Sequence, residues 1–224
     1  MSVFKIVIFD LDGTLVDSAP DLHESLNDAL AAVAPRSLTL GEVESIVGDG
    51  AAVLVGRALA LSGATPLPEP EEKAVLARFL AAYGDRATRL TRPYTDVPET
   101  LATLAGAGFA LGVCTNKPEG LSREILQALG LDRHFGAVIG GDSLNGVRKP
   151  DPRHLLAVVE ALGGGAEATV MVGDSPNDVA AARALAVPVI VRAGGYSPVP
   201  ADRLGADAVF REFPELPGVI AGLA

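Results

Sequence analysis

Asp10 and Asp12 stand two residues apart in Asp10-Leu11-Asp12-Gly13-Thr14-Leu15, directly after an apolar run over residues 3–9. In an extended chain, residues i and i+2 point to the same side, so both carboxylates face one small volume beyond the carboxyl end of a strand. Neighbouring carboxylates repel unless something uses or neutralises them. Two chemistries would do so. One is a bound divalent cation, which takes hard oxygen ligands; the other is a division of labour between a nucleophile and a general acid. A tight Asp12-Gly13 turn closing the strand is the competing reading without chemistry.

The elements that must position this pair show in the hydrophobic spacing. Residues 17–92 contain no convincing strand but several helix signals. Ser18 and Asp21 resemble a capping arrangement ahead of the helical stripe Leu22, Leu26, Ala29, Leu30 and Val33, and Thr39 with Glu42 forms a second capping box. Val53, Leu54, Ala58 and Leu61 predict a helix ending near Gly63, and Val75, Leu76, Phe79, Leu80 and Tyr83 predict another after the proline-rich stretch 65–70. From residue 95 the pattern alternates. Helices are expected over 98–107, 120–129, 152–162 and 176–186, with strands over 109–114, 137–139, 169–172 and 187–191. Apolar strands separated by helices predict an α/β fold with a parallel sheet covered on both faces. Ligands of such sheets sit outside the carboxyl ends of the strands.

That rule gathers more polar residues around Asp10 and Asp12. Thr115-Asn116-Lys117 follows one strand, Gly173-Asp174-Ser175-Pro176-Asn177-Asp178 follows another, and Lys149-Pro150 precedes a helix between them. A hydroxyl, an ammonium and two further carboxylates complete the inventory of phosphoryl transfer, in which positive groups and a cation offset charge on the moving phosphoryl. Each has a competing structural reading: Asp174 and Asp178 as helix-capping acids, Lys149 as a solvated lysine, Thr115 as a strand residue. Cys114 reads as core packing. His23, His134 and His154 lack metal-ligand spacing and read as structural or exposed, His23 lying near the presumed cleft.

Composition excludes other classes. A net charge of −10 without a basic stripe argues against nucleic acid, and any anionic substrate must find local positive groups that outweigh the overall field. A single cysteine excludes an intramolecular disulfide and a cysteine-rich zinc site. The first residues carry no basic n-region or cleavage site, and no apolar stretch approaches the roughly 20 residues of a membrane span. The expectation is a cytoplasmic protein, monomeric or homodimeric, without a membrane partner. There is no P-loop, and Gly163-Gly164-Gly165 follows a helix rather than a strand, so neither nucleotide fingerprint is present.

Asp10-x-Asp12-Gly13-Thr14, Thr115-Asn116, Lys149-Pro150 and Gly173-Asp174-x-x-x-Asp178 resemble, in order and spacing, the four motifs of haloacid-dehalogenase superfamily phosphatases, and the resemblance covers the whole chain. It implies a Rossmann-like core, residues 1–16 and 93–224, with an α-helical cap of C1 type, residues 17–92, inserted after the first strand. Asp10 is then the nucleophile that forms an aspartyl-phosphate. Asp12 is the general acid and base, which requires a raised pKa. Mg²⁺ lies between the Asp10 carboxylate, the Asp12 carbonyl and Asp174, with Asp178 in support. Thr115 and Asn116 hold the phosphoryl oxygens, Lys149 offsets their charge, and Thr14 is placed with the substrate-binding residues.

Gly48-Asp49-Gly50 followed by Arg57 is similar to the cap of bacterial phosphoglycolate phosphatases, with Asp49 where relatives often show Asn. The resemblance implies Mg²⁺-dependent hydrolysis of 2-phosphoglycolate, a small phosphorylated metabolite, with Lys117 or Arg57 receiving its carboxylate. A Gly-rich hinge is the alternative reading of the loop. Hydrolysis of pyrophosphate or a sugar phosphate, a hexose-phosphate mutase, and a non-catalytic binding protein are the other functions weighed.

Overall fold

A computed structural model describes residues 4–223; Val3, where the first apolar run begins, lies outside the described residues. The chain runs β1 (Ile6–Phe9), β2 (Val16–Asp17), α1 (Ala19–Leu30), α2 (Leu40–Glu44), α3 (Ala51–Leu61), α4 (Glu69–Gly84) and β3 (Arg92–Pro93). It continues with α5 (Val97–Gly106), β4 (Ala110–Cys114), α6 (Glu119–Ala128), β5 (Ala137–Ile139) and α7 (Pro152–Ala161). The last elements are β6 (Thr169–Gly173), α8 (Pro176–Ala184), β7 (Val189–Arg192), β8 (Ala208–Phe210) and α9 (Leu216–Gly222).

Six strands form one sheet in the order β5-β4-β1-β6-β7-β8, and every neighbouring pair is parallel. Strand β1 is central and buried on both faces, which is why it reads as an unbroken apolar run. Its side chains alternate. Ile6 and Ile8 pack with Leu155, Val158 and Val159 of α7 and Ala181 and Ala182 of α8. Val7 and Phe9 pack with Leu101 and Leu104 of α5, Ile125 of α6 and Leu216 of α9. The chain first builds outward from β1 to β4 and β5, then returns to lay β6, β7 and β8 on the other side. The direction of winding therefore changes at β1, and such switch points open a crevice at the carboxyl edge.

The helices α1 to α4 pack on one another above that edge, α1 lying along α4. Their apolar stripes, Leu22, Leu26, Leu30, Val75, Phe79 and Tyr83, belong to the same continuous cluster as Phe9. Pro70 sits in the first turn of α4, where a missing N–H costs nothing, so the helix starts within the proline-rich stretch. The two crossings between helices and sheet pair with each other as an antiparallel ribbon, Val16 opposite Pro93 and Asp17 opposite Arg92. Two-residue strands are too short to show a period, and the sequence pattern misses them.

Three other expectations need correction. Ser18 and Asp21 do not cap α1. The Ser18 hydroxyl donates to Asp12 Oδ1 at 2.5 Å, while the fully buried Asp21 accepts from the Leu90 and Thr91 amides and the Thr91 hydroxyl. Thr39 and Glu42 do form a capping box. In α3 the buried face is Leu54, Val55, Ala58 and Leu59, and Leu61 is exposed. Finally, β8 and α9 occupy a region where the pattern predicts no element; three residues of edge strand and seven of helix carry too little periodicity.

Asp21 holds the return of the chain from α4 towards β3. Asp21→Ala leaves its buried donors without an acceptor, and a loss of about 3 kcal/mol of stability is expected. Urea denaturation checks this; a change within about 0.5 kcal/mol, the level of an ordinary surface substitution, would contradict it.

Candidate active site

The carboxyl end of β1 delivers Asp10, 7% exposed, towards two other elements. Lys149 Nζ, from the turn before α7, lies 2.9 Å from Asp10 Oδ1 and 2.6 Å from Asp178 Oδ1 on α8. Carboxylate oxygens of Asp10, Asp174 and Asp178 lie within 4.8 Å of one another, all three residues buried. Each acid is aimed by specific donors. Asp174 Oδ1 accepts from the Thr14 hydroxyl at 2.8 Å and Oδ2 from the Tyr196 amide at 2.8 Å. Asp178 Oδ2 accepts from the amides of Asp174 and Ser175 and from the Ser175 hydroxyl. Asp178 therefore caps its helix and pairs with Lys149 at once.

Three buried carboxyls face one ammonium, and the electrostatics follow from that imbalance. Burial pushes the Asp10 carboxyl up to about 6, with Lys149 opposing and Asp178 adding. Burial and then the charges of Asp178 and Asp10 push Asp174 up to about 7. Burial works against the Lys149 ammonium, yet Asp10 and Asp178 outweigh it and raise its pKa. All-oxygen donors with an excess of negative charge fit a hard divalent cation, which would displace protons on binding.

Lys149 is held from behind by His154. The Lys149 amide donates to His154 Nδ1 at 3.2 Å and His154 Nε2 faces the Gly140 carbonyl at 3.0 Å, so the neutral ring carries its proton on Nε2. Burial depresses its pKa further. The ring is structural. His23 likewise faces the Leu38 carbonyl, at 2.8 Å. Cys114 is fully buried beside His154, and burial pushes its thiol up to about 12, as core packing requires.

The Asp12 side chain lies apart from the three clustered acids. Lys117 Nζ stands 3.0 Å from both of its oxygens, and Ser18 donates to it from the other side. Lys117 is buried and also donates to Tyr83 Oη at 2.6 Å. Burial would lower its pKa, but Asp12 and Tyr83 outweigh burial and raise it. Tyr83 thus reaches from α4 into the site.

Thr115 is buried, its hydroxyl accepting from the Lys117 amide at 3.3 Å. The Asn116 amide is committed to protein carbonyls, donating to Gly48 at 2.8 Å and Lys149 at 2.9 Å. Gly48 belongs to the loop between α2 and α3, so Asn116 latches that loop to the sheet edge. Asn177 is a second latch, donating to Asp49 Oδ1 at 2.6 Å. Asp49 Oδ2 pairs with Arg57 at 2.6 Å, so the charge of Asp49 is matched locally and Arg57 points to the outer rim, its side chain 44% exposed. Gly50 has φ 89°, and a Cβ there would sit 3.2 Å from the Asn116 carbonyl oxygen. Only glycine lets the loop approach this closely.

Two openings meet at Asp10 and Asp12. One is a cavity of about 50 Å³ with Thr115 and Lys117 below and Leu54, Phe79 and Tyr83 above. The other, of about 330 Å³, runs outward past Asp49, Arg57, Asp174 and Asn177. The sequence pattern places Ser18 only in a cap and Tyr83 only in a helix stripe, and it gathers Asn177 at the carboxyl edge without giving it a role. Tyr196 alone goes unnoticed; it follows a strand end, and the carboxyl-edge rule singles it out once β7 is extended to Arg192.

A parallel α/β sheet with this cluster at its switch point defines a class of hydrolase. The family model for haloacid dehalogenase-like hydrolases matches residues 4–185, and the chain belongs to that family. Among its relatives, a phosphoglycolate phosphatase of Agrobacterium fabrum is 44% identical, covering 94% of this chain and 90% of that protein. One of Rhodospirillum rubrum is 46% identical over 95% and 89%. A crystal structure of a predicted phosphoglycolate phosphatase from Haemophilus somnus superposes with a TM-score of 0.91 at 35% identity, covering 98% of this chain and 99% of that one.

Proposed function

We propose that the chain hydrolyses 2-phosphoglycolate to glycolate and phosphate in the cytoplasm, using Mg²⁺ and a covalent phosphoryl group on Asp10. The reading is carried by the buried Asp10–Lys149 pair, with Asp10 also lining a small cavity beneath the helices, together with relatives of that name above 40% identity. A carboxylate oxygen of Asp10 attacks phosphorus as the bond to the glycolate oxygen breaks, and Asp12, which can hold a proton once Lys117 turns from it to the substrate carboxylate, gives that oxygen the proton. Water then attacks the phosphorus of the aspartyl-phosphate, Asp12 takes its proton, and Asp10 is restored. The Thr115 hydroxyl and Lys149 ammonium hold charge on the transferring oxygens. Asp10, Asp174 and the Asp12 carbonyl would hold Mg²⁺, with Asp178 in support; bound there, it would neutralise charge developing on the phosphoryl group.

Residues 17–92 act in this reading as the cap, hinged on the ribbon of β2 and β3. Asn116 and Asn177 hold its Gly48-Asp49-Gly50 loop closed. Lys117, in the cavity wall, is better placed than Arg57 to receive the substrate carboxylate, because Arg57 stands at the rim on Asp49. Among the described residues, no helix is long and apolar enough to cross a membrane.

The test is a panel of 2-phosphoglycolate, ethyl phosphate, a hexose phosphate and pyrophosphate, compared by kcat/KM with and without Mg²⁺. A site built to pair a carboxylate rejects the analogue lacking it, so a preference of roughly 100-fold or more over ethyl phosphate is expected. Faster turnover of the hexose phosphate or pyrophosphate would overturn the substrate assignment.

A further inference from the structure

The loop after β7 takes no part in the chemistry above, yet it touches both the acid cluster and the crossings into the helices. Tyr196, 9% exposed, bridges them. Its amide donates to Asp174 Oδ2 at 2.8 Å. At the far end of the ring its hydroxyl accepts from the amides of Ser18 at 2.7 Å and Ala19 at 2.9 Å, and donates to Asp17 Oδ1 at 2.6 Å.

Those amides are the first of α1 and need acceptors that the helix cannot supply. No side chain at the Ser18 cap position provides one, since its hydroxyl is turned to Asp12. The helix is therefore capped from across the site. The approach is close at the acid end too: a Cβ on Gly195 would lie 2.3 Å from Asp174 Cβ. Arg192 fastens the other crossing, its guanidinium 3.5 Å from the Tyr94 ring centroid and its Nη1 donating to the Gly13 carbonyl at 3.0 Å.

We propose that Tyr196 is a positioning residue that transmits the placement of Asp174 to the crossing at residues 17–19, making the acid cluster and the seating of the helical segment one mechanical unit. A rigid phenol held at both ends carries displacement, so a shift of Asp174 moves the start of α1. The consequence for catalysis rests on Asp174 as a cation ligand; the linkage itself joins protein groups only.

The test is a cycle of Tyr196→Phe, Asp174→Ala and the double variant, followed by amide-resolved hydrogen exchange on the metal-free full chain. Loss of the hydroxyl speeds exchange at Ser18 and Ala19 by about tenfold, the equivalent of one hydrogen bond. Asp174→Ala speeds the same amides while the hydroxyl is present and adds less than about twofold once it is gone. Effects that simply multiply overturn the proposal. Asp17→Asn, which alters the hydroxyl's acceptor and also an acceptor of the Ala19 amide, replaces Tyr196→Phe if that variant does not fold; it is read at the Ser18 amide alone, where the same lack of additivity is required. In the Mg²⁺-loaded enzyme, Tyr196→Phe raises KM for 2-phosphoglycolate about fivefold with kcat within about twofold; a fall in kcat at constant KM overturns the proposal. Calorimetric titration that finds no Mg²⁺ binding to the parent would overturn the metal reading alone, because the exchange cycle is measured without metal and decides the linkage by itself.

Discussion

Asp10→Asn is expected to lower kcat on 2-phosphoglycolate by about four orders of magnitude or more, because an amide cannot attack phosphorus and no other carboxylate stands in its place. The same change does not unfold the protein. Asp10 is one of three buried acids around a single ammonium, and Lys149 keeps Asp178 at 2.6 Å when Asp10 is neutralised.

The pH dependence follows from burial, which raises Asp10 to about 6 against the opposing pull of Lys149. An unfolded Asp titrates near about 3.9, so between these values the fold binds more protons than the unfolded chain. The contribution of this group to stability is complete below about pH 4 and is lost as pH rises through about 6. Asn has no such loss. In metal-free solution at about pH 7.5 the variant should therefore melt at or above the parent temperature, while at about pH 4 the difference disappears. Thermal melts at both pH values, beside a phosphate-release assay, check the two halves. Retained activity would refute the nucleophile, and a sharply lower melting temperature at the higher pH would show that Asp10 is chiefly a structural partner of Lys149.

Lys149→Met should fail in both respects. Lys149 is 2% exposed and is the ammonium paired with Asp10 and Asp178. Methionine keeps the apolar stem and removes the charge, leaving acids without compensation in a dry site. Breaking a buried pair in this way costs about 3–5 kcal/mol. For a chain of this size that corresponds to a fall of roughly 10 °C in melting temperature. The acids can escape by taking up protons, so the deficit should be smaller at about pH 5 than at about pH 8. Loss of the charge facing the phosphoryl oxygens should lower kcat/KM by about 10³-fold. Lys149→Arg does not restore the site, since a planar fork cannot replace a compact ammonium between two acids. A Lys149→Met protein that melts within about two degrees of the parent and keeps roughly a tenth of its activity would remove Lys149 from the mechanism.

Much of the acid cluster was legible because it follows a one-dimensional rule. Apolar strands end, polar residues follow, and in a parallel sheet those ends share one edge. Asp10, Lys149, Asp174 and Asp178 come together on that basis. Thr14 and Asn116 were legible only as types. Their donors are spent on Asp174 and on the Gly48 and Lys149 carbonyls, and a motif does not say which of several acceptors a donor will find. Ser18 and Asp21 fail for the same reason: the spacing of a cap was present, but Asp12 and the Leu90–Thr91 amides won the competition.

The sequence by itself determined the parallel sheet, the helical insertion and the residues at the carboxyl edge, because periodicity and strand ends are local properties of the chain. Only the tertiary structure decided that Asp12 pairs with Lys117, that Tyr83 descends from α4 onto that lysine, and that Tyr196 caps a helix far from it in sequence. Those pairings join residues far apart along the chain. They depend on which donors and acceptors remain unsatisfied once the sheet and helices have packed, and no local pattern records that remainder.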